Sequence, residues 1–139
     1  MTADELAEIH ARAMVVPPAW SAATLQGFLD YPGAILATSE AGFALGRVTL
    51  DECELLTLAV VPEARRQGQA RRCLMEFERM SQEKGARRLF LEVAATNVAA
   101  RALYAQAGFR EDGVRLGYYR GSEGEAIDAI VMSKTLLPA

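Results

Sequence analysis

The sequence predicts a mixed α/β domain in which helices flank a largely antiparallel sheet. Three observations predict this fold. The 139 residues suit one domain with one core, and the 51% that are hydrophobic are sufficient to fill it. Segments with apolar residues at helical spacing are interspersed with short, nearly continuous apolar runs. Their order is helix, helix, three strands, helix, strand, helix and two strands, which is typical of a mixed sheet covered by helices. We therefore expect residues 1–139 to form a single domain.

Helix signals occur in four segments. Thr2 and Glu5 form a capping-box pattern ahead of apolar residues at helical spacing. Ser21 and Asn97 can cap two further helices, and a glycine follows each of the last two helical segments, as is common at helix C-termini. The predicted helices cover residues 3–14, a short segment after Ser21, and residues 68–84 and 98–107.

Strands are predicted where apolar residues run together or alternate with polar ones between turn residues. The predicted strands cover residues 34–38, 43–50, 54–61, 88–93, about 109–116 and 126–134. The run 54–61 is apolar almost throughout, which is typical of a strand buried on both faces, and Pro62 ends it. The last two strands are expected to close the sheet as an antiparallel pair.

Charge and cysteine content exclude several classes of protein. A net charge of -3 and a pI near 5.2 argue against general nucleic-acid binding. Cys53 and Cys73 lack the spacing of a metal site or a disulfide framework, which favours a reducing cytoplasm. The N-terminus is acidic, unlike a secretory signal, and no apolar run approaches the ~20 residues of a membrane span. We expect a cytoplasmic protein with no metal, no nucleic-acid partner and no membrane span.

A polar turn that contains a glycine, Arg65-Arg66-Gln67-Gly68-Gln69-Ala70, joins the strand 54–61 to the helix 68–84. The first N–H groups of a helix lack intrahelical partners and lie at the positive end of the helix dipole, so such a turn can bind phosphate. The Walker tripeptide Gly-Lys-Ser/Thr is absent, and the turn has one glycine instead of the three of a dinucleotide site. By itself the turn leaves two interpretations open, a phosphate site or an arginine-rich, solvated helix start.

The pattern Arg65-x-x-Gly68-x-Ala70 resembles the Gln/Arg-x-x-Gly-x-Gly/Ala signature of the acetyl-CoA-dependent N-acetyltransferase (GNAT) family. Two further segments, LFLEVAATNVAARALYAQAGF and YYRGSEGEAIDAIVMSK, resemble the family's next strand and helix and its terminal hairpin. Together with AWS at residues 19–21, they resemble the RimI-like branch, the alanine N-terminal acetyltransferases of ribosomal proteins. The strong match covers about residues 53–133. A short strand commonly precedes the first helix in such families, whereas here a helix is predicted from residue 3.

The resemblance implies a GNAT fold that binds acetyl-CoA as a co-substrate. Backbone N–H groups of the turn would hold the pyrophosphate, and the strand around Ala59 would run beside the pantetheine arm. Asn97 would contact the cofactor in addition to capping its helix. The cofactor-binding residues implied in this way are Leu58, Ala59, Val60, Arg65, Arg66, Gln67, Gly68, Gln69, Ala70, Arg71 and Asn97. Because the backbone matters most in the turn, we expect Gly68 to be its least replaceable residue.

Two residues are expected to be catalytic. Glu92 lies in an otherwise apolar strand, where a carboxylate is costly to bury unless it is paired or functional. The alternative for Glu92 is an outward-facing position, and Tyr104, an aromatic residue on a helix, could equally pack in the core. The resemblance implies that Glu92 takes the proton of the acceptor amine and that Tyr104 directs its hydroxyl at the thioester sulfur.

Four other side chains receive less specific interpretations. His10 is far in sequence from the motif, so we expect a surface or packing role. Trp20 is either a core anchor or part of the wall on the acceptor side. Tyr118 and Tyr119 are either strand aromatics or, by the resemblance, neighbours of an acceptor peptide.

The implied reaction is direct transfer of an acetyl group from acetyl-CoA to a primary amine. By the resemblance, the expected acceptor is the N-terminal alanine of a ribosomal protein. Three alternatives stay open at the level of sequence. They are an enzyme of the same family that acetylates a small-molecule amine, a non-catalytic acetyl-CoA-binding module, and an α/β interaction domain.

Overall fold

A computed structural model describes residues 1–14, 19–65 and 68–136 of the chain. These residues form four α-helices, one short 3-10 helix and a six-stranded sheet. The α-helices are α1 (Ala3–Ala13), α2 (Ala22–Leu29), α3 (Gln69–Glu83) and α4 (Val98–Gln106), and the 3-10 helix is Pro62–Ala64. The strands are β1 (Ala34–Thr38), β2 (Gly42–Thr49), β3 (Glu52–Val60), β4 (Arg88–Ala94), β5 (Arg110–Arg120) and β6 (Ala126–Thr135). Every predicted helix and strand overlaps an observed one, which confirms the mixed α/β class.

The sheet is mostly antiparallel, as predicted, with one parallel pair at its centre. The strand order is β1-β2-β3-β4-β6-β5. The parallel pair, β3 and β4, is in register only from Glu52 opposite Arg88 to Glu54 opposite Phe90. Beyond that point β3 continues to Val60 and β4 to Ala94 without pairing to each other. The two strands therefore diverge and leave a cleft in the middle of the sheet.

A β-bulge in β3 lies where the strands begin to separate. The register with β2 shifts between Leu45, which lies opposite Thr57, and Gly46, which lies opposite Leu55. Leu56 is thus left without a partner on β2. A bulge bends its strand and changes which side chains face each side of the sheet. It explains both the divergence of β3 from β4 and the change of face along β3.

The bulge assigns buried residues of β3 to two different apolar clusters. Before it, Leu55 packs with Leu74 and Phe77 of α3. After it, Ala59 packs with Leu6 of α1. The prediction that β3 is buried on both faces was only partly correct. Leu56 and Leu58 are half-buried because they border the cleft.

The helices cover both faces of the sheet around this cleft. α3 packs on β1, β2 and β3, and its buried side is formed by Cys73, Leu74, Phe77 and Ser81. α1 packs against α2 and β3, on the opposite face. Of the helices in the described residues, none is long and apolar enough to cross a membrane.

Candidate active site

A cavity of about 750 Å³ occupies the cleft between the diverging strands. Its volume falls within the range of roughly 300–1,000 Å³ that is usual for small-molecule sites. The predicted cofactor-binding residues that line it are Leu58, Ala59, Val60, Arg65, Gly68, Gln69, Ala70, Arg71 and Asn97. Arg66 and Gln67 lie outside the described residues. The structure thus brings the end of β3, the start of α3 and the start of α4 to one cavity.

The end of β3 presents unpaired backbone groups to this cavity. The Val61 N–H donates to the Ala41 carbonyl at 2.9 Å, on the side of β2. Because backbone direction alternates along a strand, the groups of Leu58 and Val60 point the other way, into the cleft. The Val60 carbonyl accepts a hydrogen bond from Arg65 Nε at 3.1 Å. The N–H and C=O of Leu58 and the N–H of Val60 remain for a ligand that carries amide groups.

The start of α3 differs from the starts of α1, α2 and α4 in having no side-chain cap. Gly68 is the N-cap residue, with φ 77° and ψ 7°, and no side-chain cap hydrogen bond is made there by the described residues. The first N–H groups of α3 are therefore available to an anion. A Cβ added at Gly68 would meet no atom within 4 Å, so glycine is favoured there by its left-handed conformation and not by lack of space.

Two polar side chains of the predicted phosphate turn are engaged in structural contacts. The Gln69 amide oxygen accepts hydrogen bonds from Ser39 Oγ at 2.8 Å and from the Ala41 N–H at 3.2 Å. Arg65 donates to the carbonyls of Val60 and Ala13, the latter at 2.9 Å. The turn is thereby attached to β1–β2, to β3 and to the end of α1. These contacts reduce the part that the Gln69 and Arg65 side chains can play in binding an anion.

A second cavity, of about 280 Å³, adjoins the first. The residues that line both cavities are Met14, Leu58, Ala94, Asn97, Ala100 and Tyr104. The smaller cavity is also lined by Glu92 and by the aromatic residues Trp20, Tyr118 and Tyr119. The two residues predicted to be catalytic therefore face one space. Met14 and Ala100, which sequence reasoning missed, have small or flexible apolar side chains that gave no local signal.

Glu92 is half-buried and paired. Its side chain is 20% exposed, and its Oε1 atom lies 2.9 Å from Nε of Arg115. Since β6 separates β4 from β5, Arg115 reaches across β6 to make this ion pair. The Arg115 guanidinium also lies 5.4 Å from the ring centre of Tyr118. Sequence reasoning missed Arg115 because the contact depends on strand order and not on spacing along the chain.

Tyr104 is buried at the junction of the two cavities. Its ring packs edge-on against Phe109, with centroids 5.6 Å apart. Burial raises the pKa of the Tyr104 hydroxyl well above its usual value, and the nearby Tyr119 raises it further. Burial also raises the pKa of Tyr119 to about 12, with a contribution from the Glu92 charge. Both phenols are therefore protonated at neutral pH and can donate hydrogen bonds.

His10 is fully buried beside β3, so the packing alternative of the prediction is confirmed and the surface alternative is wrong. Its Nδ1 atom accepts the N–H of Trp20 at 3.0 Å, and its Nε2 atom lies 3.0 Å from Oγ1 of Thr57. The imidazole stacks on the Trp20 ring, with centroids 5.0 Å apart and planes at 14°. Burial lowers the pKa of His10 to about 4. Folding places His10 beside β3 although it is distant in sequence.

The sequence model of the acetyltransferase (GNAT) family matches residues 4–109. The chain belongs to this family. A curated relative, the [ribosomal protein bS18]-alanine N-acetyltransferase of Escherichia coli K12, is 42% identical over 93 residues, or 67% of this chain and 62% of the relative. The enzyme of the same name from Haemophilus ducreyi is 33% identical over 94% of this chain and 91% of the relative. The chain thus matches less than two thirds of the Escherichia coli relative and nearly all of the Haemophilus ducreyi one.

A solved structure of this family has the same fold. The crystal structure of the ribosomal-protein-S18-alanine N-acetyltransferase from Escherichia coli superimposes with a TM-score of 0.84 at 34% identity. The match covers 96% of this chain and 86% of that one. The predicted GNAT fold and the RimI-like resemblance are both confirmed.

Proposed function

We propose that this chain is an acetyl-CoA-dependent N-acetyltransferase that acts on the N-terminal alanine of a ribosomal protein. One observation carries the proposal. Glu92 and Tyr104 face a small cavity that adjoins a larger one with an uncapped helix start and an unpaired strand edge. The relatives named as alanine N-acetyltransferases of a ribosomal protein support the choice of acceptor. A cytoplasmic location, where ribosomal proteins are made, is part of the proposal.

The larger cavity would hold acetyl-CoA, an elongated molecule with phosphate groups at one end. The free N–H groups at the start of α3 would bind the pyrophosphate, with Arg71 adding positive charge at the rim. The cleft-facing backbone of Leu58 and Val60 would pair with the amides of the pantetheine arm, as a neighbouring strand would. Asn97 would contact the cofactor with its amide nitrogen, since its oxygen caps α4.

Glu92 would act as the base for the acceptor. The amine nitrogen must be neutral to attack the thioester carbonyl carbon. An α-amine has a pKa of about 7.7–8.0 against about 10.4 for lysine, so deprotonating lysine costs about 3.5 kcal/mol more. A carboxylate that acts directly or through one water therefore suits an N-terminal amine better than a lysine. Since Arg115 pairs with Oε1 of Glu92, the amine or a bridging water would approach the other carboxylate oxygen or displace Arg115.

Tyr104 would assist the leaving sulfur. The acceptor binds as the neutral amine, after its ammonium proton has been lost to solvent. As the new C–N bond forms and the C–S bond breaks, the nitrogen passes its one excess proton to Glu92, and negative charge develops on the sulfur. The raised pKa of Tyr104 keeps its hydroxyl protonated, so it can donate a hydrogen bond to the developing thiolate. The same raised pKa disfavours transfer of the phenolic proton, so the released thiolate takes its proton from solvent. The reaction is a direct transfer in which no acetyl group is attached to the protein.

Mass spectrometry of competing acceptors tests the proposal. The protein is incubated with acetyl-CoA and a peptide that carries the N-terminal residues of ribosomal protein bS18. Parallel reactions contain the same peptide with a blocked N-terminus and an internal lysine, a polyamine, and a free amino acid. We expect a mass increase on the free N-terminal alanine peptide and little or none on the others.

Different outcomes contradict different parts of the proposal. Acetylation of the polyamine or the amino acid in preference to the peptide would indicate a small-molecule enzyme. Tight binding of acetyl-CoA by calorimetry, with no transfer to any amine, would indicate a non-catalytic binding module. No heat of binding with acetyl-CoA would reject the cofactor site as well.

A further inference from the structure

His10 is a buried ionisable group that the proposed mechanism does not use. It lies at the acceptor side of the site, where it contacts Trp20 and Thr57. Both of these residues line the smaller cavity, together with Glu92. The imidazole also packs 6.2 Å from the ring of Phe43, behind that cavity. A side chain with no exposed surface thus supports two parts of the acceptor wall from behind.

The hydrogen bonds of His10 fix its proton on one nitrogen. The backbone N–H of Trp20 can only donate, so Nδ1 must accept and carries no proton. Nε2 then carries the hydrogen and donates it to Oγ1 of Thr57. The neutral imidazole therefore satisfies one donor and one acceptor at the same time. An apolar ring of similar size could fill the volume but would leave the Trp20 N–H unpaired.

His10 and Arg65 anchor opposite ends of the connection between α1 and α2. At its start, Arg65 donates to the carbonyl of Ala13, the last residue of α1. At its end, His10 accepts the N–H of Trp20, directly before the N-cap of α2. Met14 and Trp20, on either side of residues 15–18, both line the smaller cavity. The anchor at Arg65 belongs to the phosphate turn, and the anchor at His10 belongs to the acceptor side.

We propose that His10 is a positioning residue that holds Trp20 and Thr57 in place on the acceptor side of the cavity and thereby sets the affinity for the acceptor amine. The proposal rests on the function proposed above. Loss of the His10 contacts raises KM for the acceptor and leaves acetyl-CoA binding unchanged, because the contacts that His10 makes with described residues lie at Trp20, Thr57 and Phe43 and not at the phosphate turn. His10 itself touches neither substrate.

Two substitutions at position 10 separate the two hydrogen bonds. His10→Phe keeps a planar ring against Trp20 and removes both bonds. His10→Asn places an amide oxygen near the position of Nδ1, so it retains the bond to Trp20 and loses the one to Thr57. For His10→Phe we expect acceptor KM to rise about tenfold, because ordering Trp20 and Thr57 on binding the acceptor then costs on the order of one lost hydrogen bond. For His10→Asn we expect a smaller rise in acceptor KM, because the bond to Trp20 is retained. In both variants the Kd for acetyl-CoA, measured by calorimetry, should stay within about twofold of that of the unsubstituted protein.

Thr57→Val supplies the matched control for the second bond. Valine has nearly the shape of threonine and cannot accept from Nε2. If His10 acts on Thr57, the Thr57→Val and His10→Asn changes remove the same bond, and their combination raises KM no more than either change alone. Additive effects of the two substitutions would contradict that part of the proposal.

Fluorescence provides a readout that requires no catalysis. Trp20 is the one tryptophan of the chain, so its emission reports on this site directly. We expect the emission of His10→Phe to shift to longer wavelength as Trp20 becomes more hydrated, and that of His10→Asn to stay unchanged. If the protein acetylates no amine, the proposed function fails, yet this measurement still tests whether His10 holds Trp20. Unchanged emission and unchanged acceptor KM in a folded His10→Phe protein would overturn the proposal.

Discussion

The starts of α3 and α4 border the same cavity but contribute to it in opposite ways. α3 begins at Gly68 with no side-chain cap among the described residues, and its first turn borders the cavity with backbone N–H groups. α4 begins at Asn97, whose side chain accepts the Ala100 N–H at 3.2 Å. What α4 adds to the site is a side chain, Tyr104, near its other end. A helix start that lacks a cap can serve a ligand with its backbone, whereas a capped helix is suited to hold a side chain in place.

The largest effect is expected from the side chains at the meeting point of the two cavities. Tyr104→Phe removes a hydroxyl that is proposed to donate to the sulfur, and Glu92→Gln removes the proposed base. General acid–base groups contribute about 10²–10⁴-fold to a rate, so each change should lower kcat by about 10²-fold or more. Steady-state kinetics with acetyl-CoA and the alanine peptide measures this loss. Calorimetry should give a Kd for acetyl-CoA close to that of the unsubstituted protein.

The kcat of Tyr104→Phe shows whether α4 contributes a catalytic side chain or only a packing residue. Phenylalanine fits the packing of Tyr104 against Phe109 and loses only the hydroxyl. A Tyr104→Phe protein with unchanged kcat would show that the aromatic ring is a core residue. In that event the contrast between the backbone role of α3 and the side-chain role of α4 would no longer hold.

A smaller effect is expected at the start of α3. Gly68 has a positive φ, which costs a residue with a Cβ atom roughly 1–2 kcal/mol. In Gly68→Ala the turn can relieve this strain by rotating the N–H groups away from the phosphate position, so acetyl-CoA affinity should fall about tenfold. Asparagine tolerates this conformation better than alanine, so Gly68→Asn should fall less. Calorimetric titration of both variants, with kcat at saturating acetyl-CoA near normal, checks this order.

The alanine and asparagine variants at position 68 separate two effects on acetyl-CoA binding. One is the cost of a positive φ for a residue with a Cβ atom, and the other is crowding of the side chain against the ligand. A Cβ atom at this position would have no neighbour within 4 Å, so both side chains start in open space in the free protein. If Gly68→Asn binds acetyl-CoA more weakly than Gly68→Ala, crowding against the ligand outweighs the backbone conformation. The close-approach role that the motif suggests would then be the dominant one.

The cofactor side was more predictable from sequence than the acceptor side, for a physical reason. The phosphate turn is a local feature: a strand, a glycine and a helix start follow one another within residues 58–71. The acceptor side is assembled by long-range contacts. His10 meets Thr57 across 47 positions of the sequence. Arg115 on β5 reaches Glu92 on β4 across the intervening strand β6, so this contact depends on the strand order. No spacing rule along the chain predicts such contacts.

The bulge at Leu56 illustrates the same limit within a single strand. The run from Glu54 to Val61 is recognisable as a strand because it is apolar, but apolar character does not indicate a change of face. The shift in register with β2 turns Thr57 toward His10, while Leu55 faces α3. The sequence therefore predicted where β3 lies, and only the pairing with its neighbours defines which cavity each residue borders.

The smallest effect is expected at the start of α4, where the cap can be removed without touching the chemistry. Asn97→Ala leaves the Ala100 N–H without its partner and should lower the free energy of unfolding by about 1 kcal/mol. Asn97→Asp retains an oxygen in the capping position and should restore that stability. Thermal or urea unfolding measures both changes.

The same pair of variants tests whether Asn97 also contacts the cofactor. The amide oxygen caps the helix, so we expect a contact with acetyl-CoA to come from the amide nitrogen, which aspartate lacks. Asn97→Asp would then fold as stably as the unsubstituted protein and still bind acetyl-CoA several-fold more weakly. Equal affinity in Asn97→Asp would mean that α4 offers the cofactor nothing at its start. In that case the start of α3 would bind the cofactor phosphates without help from the start of α4. The two helix starts would then have separate roles, one in binding the cofactor and one in stabilising the helix.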